Sequence, residues 1–393
     1  MFRKNNSIGQ FLNNIYRVIV MVVYFPLAII QMCTPFRFLF IRNQSRIGHL
    51  ALEVDWFLKK RALGNYANIR PILLFPSYRG APNEALVAIW SRYIPLISHP
   101  VLKALASPLL YFPMLRVETT DAALSVPADY PKLSGFWGDG APFLLLDDEL
   151  AAMGEKTLIE MGVPAGAWFV CIHARENVYS PDDAIHNNSR NCDIKNYEGA
   201  ADEIIARGGW CIRVGEAGAR GLTPREGVVN YHDSPFKSDF MDVFLCIKTR
   251  FFLGNTSGIY VVSVVAGRPC ALANMIPHGC CYGFGSKDIS IVKHFQNLLG
   301  EPIPLKDIFR SDLSENSYSF LNIKGLSIVE NSIEEIRQIA AEMLDVLDGS
   351  IQYSKEDESL QSNFRDLLDE RHYTYGASGR IGRDFLRSNS DQL

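Results

Sequence analysis

Apolar positions in the second half of the chain fall into short runs that alternate with amphipathic stretches. From Ala167 onward, WFVCI predicts a strand, NYEGAADEIIARG a helix closed by Gly208 and Gly209, and WCIRVG a second strand. DFMDVFLCIK then predicts a helix, RFFLG a strand, SGIYVVSVVAG a helix and PCALANM another strand. Runs of four to six apolar residues between helices are the βαβ rhythm of a parallel, doubly wound sheet. IEEIRQIAAEMLDVL predicts the last helix of this half, and a polar tail follows from about Gly349. The tail ends in YGASGRIGRDFLRSN, whose basic and aromatic residues predict that it folds back on the body.

The first half has the same alternation in weaker form. ALEVDWFLKKRAL carries Leu52, Trp56, Phe57 and Leu58 at roughly helical spacing, RPILLF predicts a short buried strand, PSYRGAP a turn, and NEALVAIWSRYI a helix with an Asn cap. Residues 117–164 are rich in Pro and Gly and are expected to be irregular, the crossing between two domains.

The N-terminal run VIVMVVYFPLAIIQMCTPF, residues 18–36, carries no charge and is flanked by Arg3, Lys4 and Arg17 before and by Arg37 and Arg42 after. Its length is nearly that of a membrane span, but Pro26 would kink a crossing helix and the two basic flanks set no orientation. A monotopic or re-entrant membrane anchor is the expectation. The competing one is a core helix leading into a first strand, FRFLFI. A cleaved signal peptide fits less well, because the run is long and lacks a small-x-small cleavage site.

Composition narrows the picture further. A chain of 393 residues exceeds what one core usually covers, so two domains are expected. Hydrophobic residues at 48%, charged residues at 21% and a net charge of -4 describe a globular protein with no general basic surface for nucleic acid. Of eight cysteines, Cys171, Cys211, Cys246 and Cys270 lie in apolar runs, and no C-x-x-C pair occurs, so reduced buried thiols are expected. Cys280 and Cys281 are adjacent, a poor spacing for zinc.

Ligands of open parallel sheets bind beyond the carboxyl ends of the strands. The residues found there are His173, Ala174, Arg175, Glu176 and Asn177 after WFVCI, Gly215 and Glu216 after WCIRV, and Asn255, Thr256, Ser257 and Gly258 after RFFLG. The last four precede an apolar helix, whose N-terminus would suit a phosphate; Thr256 or Ser257 would equally serve as a plain helix cap. Arg175 offers a rigid fork for phosphate oxygens, as does Arg190 in the polar loop HNNSRNCDI beside Asn191. Asp193 there is a natural cap for the helix that follows. In the first half, Gly48-His49 and Arg79-Gly80 are expected in loops, with His49 a candidate general base and Glu53, Asp55 and Glu84 its competitors.

Together, RIGHLALEVDWFL, FVCIHARENVY, HNNSRNCDIKNY, GGWCIRVG and DVFLCIKTRFFLGNTSGIYVVSVVAGRP resemble a family of bacterial glycosyltransferases from surface-polysaccharide gene clusters, from about Arg46 to the C-terminal RIGRDFL. More remotely, His173-x-Arg175 is similar to the nucleotide-sugar motif of fucosyltransferases, and the Ser-Gly helix start to that of heptosyltransferases. The resemblance implies an α/β fold of two Rossmann-like domains (GT-B) behind an N-terminal membrane-associated segment. It divides the chain into a membrane-associated segment 1–44, an acceptor domain 45–160, a nucleotide-sugar domain 161–348 and a tail 349–393. It also implies an inverting transfer in which Arg175 neutralises the leaving diphosphate, with His173 and His49 as further catalytic candidates. Donor binding would fall to Arg190, Asn191, Gly215, Glu216, Asn255, Thr256, Ser257 and Gly258. Glu176 departs from the glycine usual in the fucosyltransferase pattern. No D-x-D triplet occurs, so no metal or other cofactor is expected. The implied partners are a nucleotide-sugar donor, a lipid-linked or oligosaccharide acceptor and the cytoplasmic face of the inner membrane. A non-catalytic glycan- or nucleotide-sugar-binding scaffold and a pyruvyl-type transferase are the alternatives.

Overall fold

The computed structural model describes residues 7–41, 43–74, 81–119, 126–176, 188–314 and 325–393. Arg3, Lys4, Arg42, Arg79, Gly80 and Asn177, singled out above, lie outside the described residues. The chain forms two compact units, Met1–Val126 and Pro127–Leu393, each built on a parallel sheet. The architecture is therefore α/β.

In the first unit, β1 (Phe36–Phe40), β2 (Arg70–Leu74), β3 (Leu96–Ile97) and β4 (Arg116–Glu118) stand in the order β3-β2-β1-β4, every neighbouring pair parallel. The helices are α1 (Ser7–Met32), α2 (Ile47–Ala62), α3 (Glu84–Trp90) and α4 (Pro100–Ala106). The run FRFLFI is thus the strand that β2 and β4 flank, and the segment 1–44 is in part sheet. Among the described residues no helix is long and apolar enough to cross a membrane. Asn83 caps α3 by accepting the Leu86 N–H at 2.8 Å, as its residue type predicts. Gly48-His49 is not in a loop. It lies in the first turn of α2, because Leu50, Ala51, Val54, Phe57 and Leu58 are all buried and carry the helix against the core from its start.

The second unit holds α5 (Val126–Trp137) and α6 (Asp148–Glu160) before its sheet begins. The stretch 117–164, expected to be irregular, is thus largely helical. Asp147 accepts the Leu150 N–H at 2.8 Å and starts α6, while Pro131 is tolerated inside α5. The elements that follow are β5 (Phe169–Ile172), α7 (Glu198–Ala206), β6 (Trp210–Arg213), β7 (Val228–Val229), α8 (Asp239–Lys248), β8 (Phe252–Gly254), α9 (Tyr260–Val265) and β9 (Cys270–Met275). Then come β10 (Ile289–Val292), β11 (His294–Gln296), α10 (Leu305–Phe309), β12 (Ser327–Val329), α11 (Ile333–Leu347), α12 (Lys355–Arg365), β13 (Arg380–Ile381) and α13 (Arg383–Ser388). Seven strands form one parallel sheet, β13-β10-β9-β8-β5-β6-β7; β11 and β12 make a separate antiparallel pair.

Strands β5, β8 and β9 are buried along their whole length, as continuous apolar runs require between layers of helices. A complete capping box, Ser332 with Glu335, starts α11, which packs on α7. The C-terminal residues join this body. Arg380 donates its backbone N–H to the Asp288 carbonyl at 2.9 Å to seat β13 beside β10, and Arg387 in α13 grips Asp357 in α12 at 2.7 and 2.9 Å. All eight cysteines are free thiols, most of them buried.

Candidate functional site

Parallel strands direct their carboxyl ends to one edge, and where strand order reverses the flanking loops part and leave a crevice. In the second unit the chain runs from β5 outward to β6 and β7, then returns to lay β8 on the opposite side of β5. The switch point is between β5 and β8. Ile172 pairs with both Arg213 and Leu253, so the residues leaving the edge together are those from His173, from Val214 and from Gly254. The motifs singled out after these three strands are therefore brought to one edge. Gly254 belongs there because a Cβ would stand 2.7 Å from the Phe252 ring and 3.1 Å from the His173 carbonyl.

Asn255 is fully buried and joins the two sides of the crevice. Its Oδ1 accepts the backbone N–H of Arg175 at 3.1 Å, and its Nδ2 donates to the Arg190 carbonyl at 2.6 Å. Arg175 extends Nη1 to the Asn191 Oδ1 at 2.5 Å, and Asn191 Nδ2 donates to Asn188 Oδ1 at 2.7 Å. Just past β10, the buried Lys293 donates Nζ to the Asn191 carbonyl at 2.6 Å and lies 3.8 Å from Glu330. Glu330 in turn accepts the Asp193 N–H and the Asn196 amide, both at 2.9 Å. Two cationic side chains, Arg175 and Lys293, together with the backbone carbonyl of Arg190, thus belong to one hydrogen-bonded cluster at the carboxyl edge.

His173 is almost wholly buried, and its Nδ1 stands 3.1 Å from the Val214 carbonyl. A carbonyl can only accept, so Nδ1 carries the proton and Nε2 is left as an acceptor. Burial, and then the Arg213 guanidinium, push its pKa down to about 3, so the ring is neutral at physiological pH. Arg213 itself is fully buried and donates to the Ala174 carbonyl at 3.1 Å, the Arg220 carbonyl at 3.2 Å and the Val214 carbonyl, which makes it a clamp on these loops. A Cβ on Gly215 would lie 2.8 Å from its Nη1. Glu176 accepts the Arg220 N–H at 3.1 and 3.3 Å, and Glu216 is exposed.

The motif after β8 differs in detail from a helix start. Helix α9 begins only at Tyr260 and is six residues long, so Thr256, Ser257 and Gly258 form the turn before it. Thr256 Oγ1 accepts the Ile276 N–H at 3.3 Å and contacts the Met275 sulfur at 3.4 Å, and the Ser257 hydroxyl is buried without a partner. Motif reading singled out neither Lys293, Arg213 nor Glu330. Lys293 follows a strand just as Arg175 does, so the same rule would have found it had ISIV been assigned to a strand.

The first unit has its own reversal of strand order, between β1 and β4. His49, in the first turn of α2, places Nδ1 2.7 Å from Glu53 Oε1, one helical turn on. Glu53 is fully buried, and its second oxygen meets the hydroxyl of Thr119, which follows β4 and also lies 3.0 Å from the carbonyl of Phe40 at the end of β1. The carboxylate accepts from Nδ1–H and so orients the ring with Nε2 as its basic atom. The His49 side chain is 27% exposed, enough for solvent or a substrate to reach it. Of the competitors, Asp55 is buried in an ion pair with Lys59 at 2.9 Å. Among the described residues no group of three or more His, Cys, Asp or Glu side chains could hold a metal ion.

No family model matches the chain, and no curated protein does. Among solved structures, the chain is similar to one described as the crystal structure of the glycosyl transferase family 9 from Veillonella parvula. The identity is 8% and the TM-score 0.38, over 60% of this chain and 79% of that chain.

Proposed function

We propose that this chain is a glycosyltransferase of the GT-B type, which moves a sugar from a nucleotide-sugar donor to a lipid-linked or growing surface glycan with inversion and without a metal. One observation carries the anionic donor: at the switch point between β5 and β8, Arg175 is positioned by Asn255 and Asn191 at the edge where parallel sheets take their ligands. The sugar-nucleotide class rests on the motifs quoted above. In this reading the acceptor hydroxyl attacks the anomeric carbon as the bond from that carbon to the diphosphate oxygen breaks, and the electron pair leaves with the nucleoside diphosphate. His49 Nε2 takes the hydroxyl proton, and Glu53 holds the imidazolium that results. Arg175 stabilises the charge growing on the leaving diphosphate more than it stabilises the bound donor, which is what lowers a barrier.

The test is nucleotide release from a panel of nucleotide sugars, with thermal shift as the binding readout. A ligand at a hundred times its Kd stabilises the folded state by about 2.7 kcal/mol, a readily measured change. A panel that neither shifts the melting temperature nor releases nucleotide in the presence of lipid-linked acceptors defeats the reading. Activity lost to a chelator and restored by magnesium or manganese defeats its metal-free form alone.

A further inference from the structure

We propose that the first unit docks on an anionic lipid surface through the open face of α1 and the neighbouring α4, with α1 lying along the bilayer rather than across it. Three independent observations converge on this. The first is the way α1 is seated. Val20, Tyr24 and Ala28, spaced four residues apart, form one narrow covered stripe, and Tyr24 and Ala28 pack with Phe38, Leu74, Phe112 and Leu115. A helix fixed along its middle to a folded body cannot be surrounded by lipid. Elsewhere on it Val18, Ile19, Val22, Val23, Phe25 and Ile30 are each more than half exposed, an apolar area that water disfavours and that marks an interaction site.

The second is continuity. Helix α4 buries none of its residues, and Val101, Leu102 and Leu105 on it are also more than half exposed. It runs straight into the turn Ser107–Tyr111, which packs on α1. Exposed apolar residues therefore stand on two elements that the same turn joins.

The third is charge, and it selects the partner. Residues 1–52 contain no Asp or Glu. Met1–Val126 carries 14 Lys and Arg against 5 Asp and Glu, a formal +9, so the remaining residues carry -13. Two of those five acids, Glu53 and Asp55, are fully buried. Exposed Arg17 on α1 lies over the Tyr111 ring at 5.7 Å, and Arg70 over the Phe36 ring, just past the end of α1, at 5.9 Å. A cationic head on an amphipathic aromatic body suits the level of lipid headgroups. Two copies of this face would meet with like charge, whereas anionic headgroups complement it. Interfacial helices of this kind sink their apolar face about 5–10 Å into the headgroup boundary.

Co-sedimentation of the full chain, without donor, with vesicles of phosphatidylcholine alone and of equal parts phosphatidylcholine and phosphatidylglycerol tests the proposal. Because no sugar is present, its outcome is separate from that of the transferase reading. The chain is expected to sediment with the anionic vesicles, less so at high salt. Val22→Glu with Ile30→Glu, on the exposed face, is expected to abolish binding with the melting temperature unchanged. Arg17→Glu and Arg70→Glu should each weaken binding to anionic vesicles about fivefold. The proposal is overturned if the wild-type chain stays in the supernatant with both vesicles, or if the double glutamate variant sediments like wild type. Self-association that this variant abolishes, with no vesicle binding by wild type, would assign the face to a second copy instead and would likewise overturn it.

Discussion

The two units reverse their strand order in the same way and furnish the resulting edge with different side chains. In the second unit the β5–β8 edge gathers Arg175 and Lys293, linked through Asn191, Asn255 and Glu330 to the main chain of the Arg190 loop, with a histidine kept uncharged by burial. In the first unit the β1–β4 edge presents one half-buried histidine whose ring is aligned by a buried carboxylate. One arrangement offers fixed positive charge and the other an aligned imidazole. The shared reversal thus leaves the chemistry open, and the few side chains past the strand ends distinguish the two edges.

If the two edges divide the labour as proposed, the largest effect should come from His49. His49→Ala removes the only proton acceptor the reading assigns, and positioned general bases contribute about a hundredfold to ten-thousandfold. Turnover should fall by that much while the melting temperature changes little, since the side chain is partly exposed. Near-normal turnover would remove the first unit from the chemistry. Arg175→Ala comes next, at about a hundredfold to a thousandfold, the usual cost of losing one preorganised donor to a developing oxyanion. Arg175→Lys should recover only part, because an ammonium lacks the planar two-point contact. A folded Arg175→Ala protein with full turnover would reduce the cationic edge to a structural network.

The alternation from β5 to β9 was legible because each strand is a continuous apolar run bounded by Gly or polar residues, as WFVCI and PCALANM show. The strands of the seven-stranded sheet that escaped notice are β7, β10 and β13. Two of them are two residues long, and β10 sits in a run, KDISIVKH, with charges at both ends, so their pairing is a tertiary outcome with little local pattern. The missed strand also hid Lys293. Helices α5 and α6 were obscured by the Pro and Gly residues around and within them, Pro127, Pro131 and Gly135 in α5 and Gly154 in α6. In the first unit the His49–Glu53 pair was within reach of the i, i+4 rule, but placing His49 in a loop made Glu53 a rival instead of a partner. No residue pattern announces the burial that leaves Glu53 wholly covered and Glu216 exposed; packing alone decides it.

Glu53→Gln sharpens the comparison at a smaller scale. The amide keeps the size of the carboxylate and its link to Thr119, yet it cannot hold an imidazolium as an anion does. A positioning residue of this kind should cost about tenfold to a hundredfold in turnover with KM little changed. Glu53→Asp, which retains the charge, should recover part of the loss, whereas a merely structural role would show equal damage in both variants and a lowered melting temperature.

The smallest effect concerns the neutral histidine of the second unit, and it is a matter of stability. His173 titrates near 6.5 in an unfolded chain, but in the fold its pKa is pushed down to about 3, first by burial and then by Arg213, with Arg175 and Lys237 adding to the effect and the Val214 carbonyl opposing it. Between those values the unfolded chain binds a proton that the folded chain refuses, so the stabilisation is complete above 6.5 and is lost as pH falls toward 3. His278, also pushed down to about 3 by burial, acts in the same direction. Buried Asp288, pushed up to about 7, acts in the opposite one, its stabilisation being complete below 3.8 and lost as pH rises through 7. A single melting curve mixes these groups, but the difference between wild type and His173→Asn isolates one of them. The asparagine amide can still donate to the Val214 carbonyl and cannot take up a proton. From pH 6.5 down to about 5, wild type should lose about 2 kcal/mol more than the variant. Parallel curves over that interval would mean that His173 can be protonated without disturbing the fold, and the second unit's edge would then hold a proton donor of its own, erasing the contrast with His49.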